Sequence, residues 1–447
     1  MARNHAPSFE HPDSTSALST AVLSGRGRIG IIGAGVVGLC CAIHLQRLGH
    51  RVEVLDPRDP GEGASLGNAG IIAVSEVFPL ARAATLRQVP RMLFDPIGPL
   101  AVRCRYAPYI APWLIRFVAA SRPSEVRRIT RALASLLAPA IEAWRDMVQA
   151  CGVEHGLVSQ GWLRLSTTRR GLEMAALDAE LQRELGVRVD ILGTADIRDL
   201  EPALAPIFAG GVFFPDAGNL TSPLGMMRAM AAHVVQNGGV IERREASRVE
   251  IVDGQPTVAD VSGTRTAYDR VIIAAGAWSR RLVRTLGLDV PLDTERGYHV
   301  MLPTPSQSLR RPVTVPNPGY TLVQMEDGMR LTTGVEFAGL SAPPDFRHIR
   351  RMIKRAQDGL PGLSPHPLSE WLGFRPSMPK SMPVIGPVPR CPQVILAFGH
   401  GHLGLTLGPV TGGLVGAILA GRMPRIDLTP FLPMHSVRRA VESIDGT

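Results

Sequence analysis

A chain of 447 residues with 45% hydrophobic and 19% charged residues has an ordinary globular balance and is too long for one small core, so two domains interleaved in sequence are expected. The net charge of +9 is spread over scattered arginines, with no basic run interleaved with aromatics, which sets nucleic acid aside in favour of an anionic membrane surface or simple solubility. The five cysteines form no Cys-x-x-Cys pair and no His-containing ligand cluster, so a reduced, cytosol-facing compartment without a structural metal is expected.

Residues 1–27 lack the apolar core of a secretory signal and read as a disordered extension outside the fold. The chain then becomes regular. Two apolar, β-branched runs, 29–32 and 52–55, flank a helical pattern marked by Val37, Cys40, Cys41 and Leu45, which predicts a βαβ unit. Between the first strand and the helix lies Gly33-Ala34-Gly35-Val36-Val37-Gly38. Gly33 permits the tight turn, Gly35 lets a pyrophosphate approach the backbone, and Gly38 lets helix and strand pack closely. The helix N-terminus offers free N–H groups to phosphate, and Asp56, followed by Pro57, can accept from a ribose hydroxyl. An adenine dinucleotide is the expected ligand.

The glycine-rich loop 64–70 follows at the carboxyl edge of the second strand, where ligands of doubly wound sheets bind. Ser65 and Asn68 can bond phosphate or ring-edge groups, Gly67 and Gly70 let a backbone pass close to a flat ring, and Ala69 lies between Asn68 and Gly70 as a further cofactor-binding candidate. With its Ser-x-x-Asn-Ala-Gly order, the chain resembles the D-amino-acid dehydrogenase branch of the D-amino-acid oxidase superfamily.

Beyond it, residues 79–131 mix basic and apolar positions in proline-broken helices. Trp113, Leu114, Phe117 and Val118 form a stripe that reads either as core or as an interfacial patch facing membrane or quinone. One long helix is expected over 125–152, a strand over 161–167, helices over 168–185 and 223–236, and a strand leading into Val249. The run 270–275 reads as a buried parallel strand that ends in Ala275-Gly276-Ala-Trp278. Finding this strand far downstream of the first glycine turn resembles the second flavoprotein signature and moves the expected cofactor from NAD to FAD.

Residues 291–362 predict a second sheet, with a hairpin turn at Asp327-Gly328. The resemblance makes its Tyr298 and Tyr320 candidates for substrate contacts. Arg375 precedes Pro376 and is thereby fixed in extended backbone, which suits an aimed guanidinium. Gly373-Phe-Arg375-Pro376 is similar to the segment that forks the substrate carboxylate in that superfamily. After a strand at 394–398, the Gly399 to Gly408 loop opens a helix whose N-terminus would face the flavin, and Gly401, His402, Leu403, Gly404 and Thr406 fall in it. His402 is also a candidate for the substrate pocket. The apolar stretch 403–421, with its glycines and Pro409, reads as this helix and not as a membrane span.

The resemblance covers residues 28–422 and implies an α/β fold: a Rossmann-like FAD-binding domain (28–85, 221–282, 371–425) interleaved with an α+β substrate domain (86–220, 283–370) built on a mostly antiparallel sheet, then a tail at 426–447. By resemblance Val249 lies against the adenine and Ala275, Gly276 and Trp278 near the pyrophosphate. The implied chemistry is hydride transfer from the α-carbon of a D-amino acid to noncovalent FAD. The imino acid formed hydrolyses to a 2-oxo acid and ammonia, and electrons pass to a quinone or respiratory acceptor. Oxidation of glycine, sarcosine or a cyclic imino acid such as D-hydroxyproline, and a noncatalytic FAD-bound subunit or scaffold, stand beside it. A cytoplasmic protein is implied, free or peripheral on the inner face of the cell membrane.

Overall fold

The β-branched runs on either side of the glycine turn become the middle of a six-stranded sheet. Its order is Val240–Arg243, Arg51–Asp56, Arg28–Ile32, Arg270–Ile273, Cys391–Phe398, Val384–Val388, the first five strands parallel and the last antiparallel. The computed structural model describes residues 22, 25–95 and 98–439, so the extension expected at 1–27 lies almost wholly outside the described residues. Strand alternation divides the core. Ile29, Ile31, Ile272 and Ile395 face the helices Val36–Arg47, Pro223–Gln236 and Gly404–Leu419, whereas Ile32, Leu55, Val271, Ile273 and Leu396 face a three-stranded meander formed by Ala246–Val252, Gln255–Asp260 and Arg265–Ala267.

The helical stretch Gly401–Leu419 meets the length and composition of a membrane span, but 78% of its apolar window is buried inside the protein. Small residues explain how it fits. A Cβ on Gly412 would fall 2.7 Å from the backbone of Cys40, and one on Gly408 2.7 Å from Val36, so only glycines let the two helices meet. Trp144, fully buried, donates from Nε1 to Leu405 O at 3.0 Å and closes the third side. Cys40 and Cys41 are buried at this seam, where burial pushes both thiols up, Cys41 to about 12, and they remain protonated packing groups.

The second sheet has nine strands. Its main path runs Ser369–Ser377, Asp293–Leu302, Gly328–Phe337, Tyr320–Met325, Val313–Val315, Trp162–Ser166, Gly210–Phe214, Asp190–Leu192, with Leu100–Val102 beside Gly328–Phe337. It is antiparallel except at Val313–Val315 with Trp162–Ser166 and at Leu100–Val102. The amphipathic helix Arg347–Gly359 covers one face through Ile349, Met352, Ile353 and Ala356.

Three sequence expectations shift. The helix expected over 125–152 is two helices, Pro123–Leu137 and Ala140–Ala150, because Pro139 lacks the N–H that would continue the first. The hairpin turn is Glu326-Asp327, since Met325 pairs with Gly328, which already belongs to the returning strand. Residues 426–437 do not trail away: Leu428, Phe431 and Leu432 insert into the core, and Arg438–Arg439 pairs with Leu288–Asp289.

Candidate functional site

The two sheets meet along a cavity of about 380 Å³ that begins at the glycine turn and ends under the second sheet. At the first end, Gly33 adopts φ +115, and a Cβ there would sit 2.4 Å from Ala274 O. Asp56 fixes the turn: Oδ2 accepts from Ala34 N–H at 2.9 Å and Oδ1 from Arg58 N–H at 2.9 Å. A carboxylate has about four acceptor positions, so two are still available toward the cavity, which Asp56 lines. Ser65 Oγ accepts from Val36 N–H at 3.1 Å and caps the helix that begins at Val36. No acidic residue occupies the first turn of that helix, so its end carries uncompensated positive charge. Gly35 and Gly276 present bare backbone, and a Cβ on Gly276 would meet nothing within 4 Å. Arg58 lies 4.7 Å over the ring of Trp278. These features suit the pyrophosphate and ribose of a dinucleotide.

The middle of the cavity is lined by loop 63–70, Pro376 to Met378 and the turn Gly401–Leu403. The second sheet holds the loop. Arg330 Nη1 donates to Leu66 O at 3.1 Å and Asn68 O at 2.6 Å, and His299 Nδ1 donates to Gly67 O at 3.2 Å, a carbonyl being only an acceptor. The Trp371 indole stacks on His299 and fills the space that side chains on Gly67 and Gly373 would need. The turn Gly401–Leu403 leads into the helix Gly404–Leu419, again with no acid in its first turn, so a second positive helix end faces the cavity. None of the cysteines among the described residues lines the cavity.

Burial keeps three histidines around this scaffold neutral: His299 and His400 are pushed down to about 3 and His44 to about 4. An unfolded chain takes up protons on these rings below pH 6.5, whereas the folded chain refuses them until pH approaches 3 to 4. Stability is therefore expected to fall by about 1.4 kcal/mol per ring for each pH unit below 6.5. Thermal melts at pH 7.5 and 5.5 check this; a Tm that stays level across that interval would contradict it.

At the far end stand Arg375, Glu295, Tyr298, Trp371 and His402. Arg375 is opposite Glu295 in the strand register, its guanidinium lies over Gly297, and Nη1 donates to Gly334 O at 3.0 Å. Burial pulls the Arg375 pKa down and Glu295 pulls it back, so the guanidinium stays charged. Burial also opposes ionisation of Glu295, but His402 and Arg375 outweigh it and hold its carboxyl below the usual range. His402 Nε2 lies 2.6 Å from Glu295 Oε2. The two histidines of the glycine loop therefore diverge, His400 to Thr411 Oγ1 at 2.9 Å and His402 to Glu295.

The cavity brings together Gly33, Gly35, Val36, Val37, Asp56 and Ser65 with Asn68, Ala69, Ala275, Gly276 and Trp278, and these with Gly401, His402, Leu403, Gly404, Tyr298 and Arg375. Ala34, Gly38, Pro57 and Gly70 do not line it. Three further candidates are elsewhere. Val249 is fully buried in the meander and does not line the cavity; Thr285 Oγ1 accepts from its N–H at 2.9 Å and donates to its C=O at 3.0 Å. Tyr320 packs in the core of the second sheet with its hydroxyl against Gly359. Thr406 Oγ1 is used by the strand Ile71–Ile72 and its neighbour, accepting from Ala73 N–H at 3.0 Å. Tyr298 lines the cavity with its ring only, because its hydroxyl donates to Glu336 and accepts from Asp345 N–H. Trp113 is 5% exposed, stacked on Phe117 and tilted against Phe337, and so belongs to the core; on its helix, Ala107–Ala120, Ile115 and Val118 are exposed on one flank and Tyr109 on another. Glu295, Trp371 and the Arg330–His299 clamp were not marked by the motifs. The available signal was charge inside a strand otherwise buried, as at Glu295-Arg296.

The family model described as FAD dependent oxidoreductase (DAO) matches residues 28–418. A D-amino-acid oxidase of Bradyrhizobium diazoefficiens is 34% identical over 416 residues, 91% of this chain and 98% of that protein. D-amino acid dehydrogenase 2 of Mesorhizobium japonicum is 29% identical over 90% of this chain and 98% of its own length. Among solved structures, glycine oxidase from Geobacillus kaustophilus superposes with a TM-score of 0.73 at 22% identity, covering 94% of this chain and all of that one.

Proposed function

Because this chain belongs to the DAO family of FAD-dependent oxidoreductases, we propose that it oxidises a D-amino acid to the imino acid, which hydrolyses to a 2-oxo acid and ammonia. The observation that carries this reading is the half-buried Arg375 guanidinium, set beside a carboxylate in the same cavity as the FAD cradle. Bound FAD supplies the hydride acceptor. The residues of the chain orient, desolvate and balance charge. Arg375 forks the substrate carboxylate, Gly297 gives it room, and Trp371, Phe374 and the Tyr298 ring exclude water from the reacting carbon. Asp56 and the helix starting at Val36 hold the AMP half, and the helix end at Gly404 favours negative charge on the reduced ring.

The 34% identical relative is named a D-amino-acid oxidase and others D-amino acid dehydrogenases, which supports the D-amino acid as substrate and leaves two acceptors to compare. We favour a quinone or other respiratory acceptor for a cytosol-facing protein, with the exposed Ile115 and Val118 as the side that meets the membrane. Peroxide yield against dye reduction during turnover separates the acceptors: dye reduction without peroxide is expected, and stoichiometric peroxide would make the protein an oxidase. In flotation with anionic liposomes, Ile115→Glu with Val118→Glu is expected to abolish lipid association; unchanged flotation would remove that surface from the account.

A further inference from the structure

The proposed reaction requires an ammonium group to become an amine before the α-carbon can give up its hydrogen, and the structure holds a group placed for that proton. Glu295 is 3% exposed, yet it carries a carboxylate on the strand Asp293–Leu302 beside the half-buried cation Arg375. An ionised carboxylate only accepts hydrogen bonds, so at 2.6 Å His402 Nε2 carries the hydrogen, and Nδ1 is the ring nitrogen left to take a proton. No other hydrogen bond to that ring is present among the described residues, and the side chain is 40% exposed along the cavity it lines. The cavity thus holds a guanidinium for a carboxylate and, next to it, a carboxylate-backed imidazole for an ammonium. This is the charge order of an amino-acid zwitterion.

Resting on the reading of this site as an amino-acid oxidising one, we propose that His402 accepts the proton of the substrate ammonium, with Glu295 as its positioning residue. The ammonium gives one proton to Nδ1, yielding the amine and an imidazolium neutralised by Glu295. The α-carbon then releases its hydrogen with both bonding electrons to oxidised FAD, which gains two electrons. The nitrogen lone pair closes the C=N bond, leaving the protonated imino acid. The charged and titratable groups around the pair are Arg375 on the facing strand, Asp293 on the strand of Glu295, and His400, which stays neutral on the loop of His402.

The test uses holoenzyme and two unreactive ligands followed by flavin absorbance: 2-aminoisobutyrate, which has an ammonium but no α-hydrogen, and isobutyrate, which lacks the ammonium. In E295Q and H402A, 2-aminoisobutyrate should lose at least about tenfold in affinity while isobutyrate changes less than about twofold. In turnover, kcat/KM of H402A should fall about 100-fold at neutral pH and climb about tenfold per pH unit toward the ammonium pKa of the substrate, closing on wild type. Equal losses for both ligands, or pH profiles parallel to wild type, would overturn the proposal, as would a change confined to the flavin reduction potential. If no amino acid reduces the wild-type flavin, the functional reading falls instead, and the ligand pair alone decides whether this site reads an ammonium.

Discussion

Arg375→Ala is expected to weaken binding of amino acid and of simple carboxylates by about 1.5 to 3 kcal/mol, with FAD still bound. The guanidinium is already held by Gly334 O and by the absence of a side chain on Gly297, whose Cβ would come within 2.3 Å of Cζ. Little side-chain entropy is therefore lost when a carboxylate docks. The substitution also strips Glu295 of a neighbouring cation, so its carboxyl should shift upward. Lysine should not restore binding, since a point charge on a flexible stem cannot reproduce the planar fork. Titration with isobutyrate checks the effect, and affinity within twofold of wild type would remove Arg375 from the site.

Gly38→Ala is expected to yield protein without bound FAD. A Cβ there would sit 1.8 Å from Gly33 O, a backbone atom of the turn that also orders Ala34 N–H onto Asp56. Either the helix lifts off the strand or the turn moves. Both destroy the phosphate cradle, at an overpacking cost of about 1 to 3 kcal/mol. Gly413→Ala supplies the contrast: it lies mid-helix in Gly404–Leu419, the nearest atom to its Cβ would be 3.7 Å away, and the variant should stay yellow and gain up to about 1 kcal/mol. Flavin content and thermal melts of the two variants give the comparison, and a yellow Gly38→Ala protein with an unchanged Tm would refute the packing argument.

Local chemistry made much of the cofactor cradle legible. The βαβ unit is specified within residues 28–56 by strand composition, three glycines and one terminal acid, each acting on its neighbours. The helix Pro223–Gln236 begins where Ser222 caps it and proline occupies its first position, both of which are local signals. What was not legible depends on partners remote in sequence. His402 meets Glu295 across 107 residues. Tyr298 and Tyr320 look alike in a strand pattern, yet one ring reaches the cavity and the other the core, which only the packing of the second sheet decides. Pro139 was a visible breaker inside a long apolar pattern, and periodicity on both sides masked it.

The central claim, that this cavity joins FAD to an α-carbon aimed by Arg375, is tested most directly by mixing the yellow holoprotein anaerobically with single D-amino acids. The expected result is bleaching of the flavin with stoichiometric formation of the 2-oxo acid, faster than with the L-enantiomer and strongly slowed in Arg375→Ala. A flavin that no D-amino acid, L-amino acid or imino acid bleaches would contradict it.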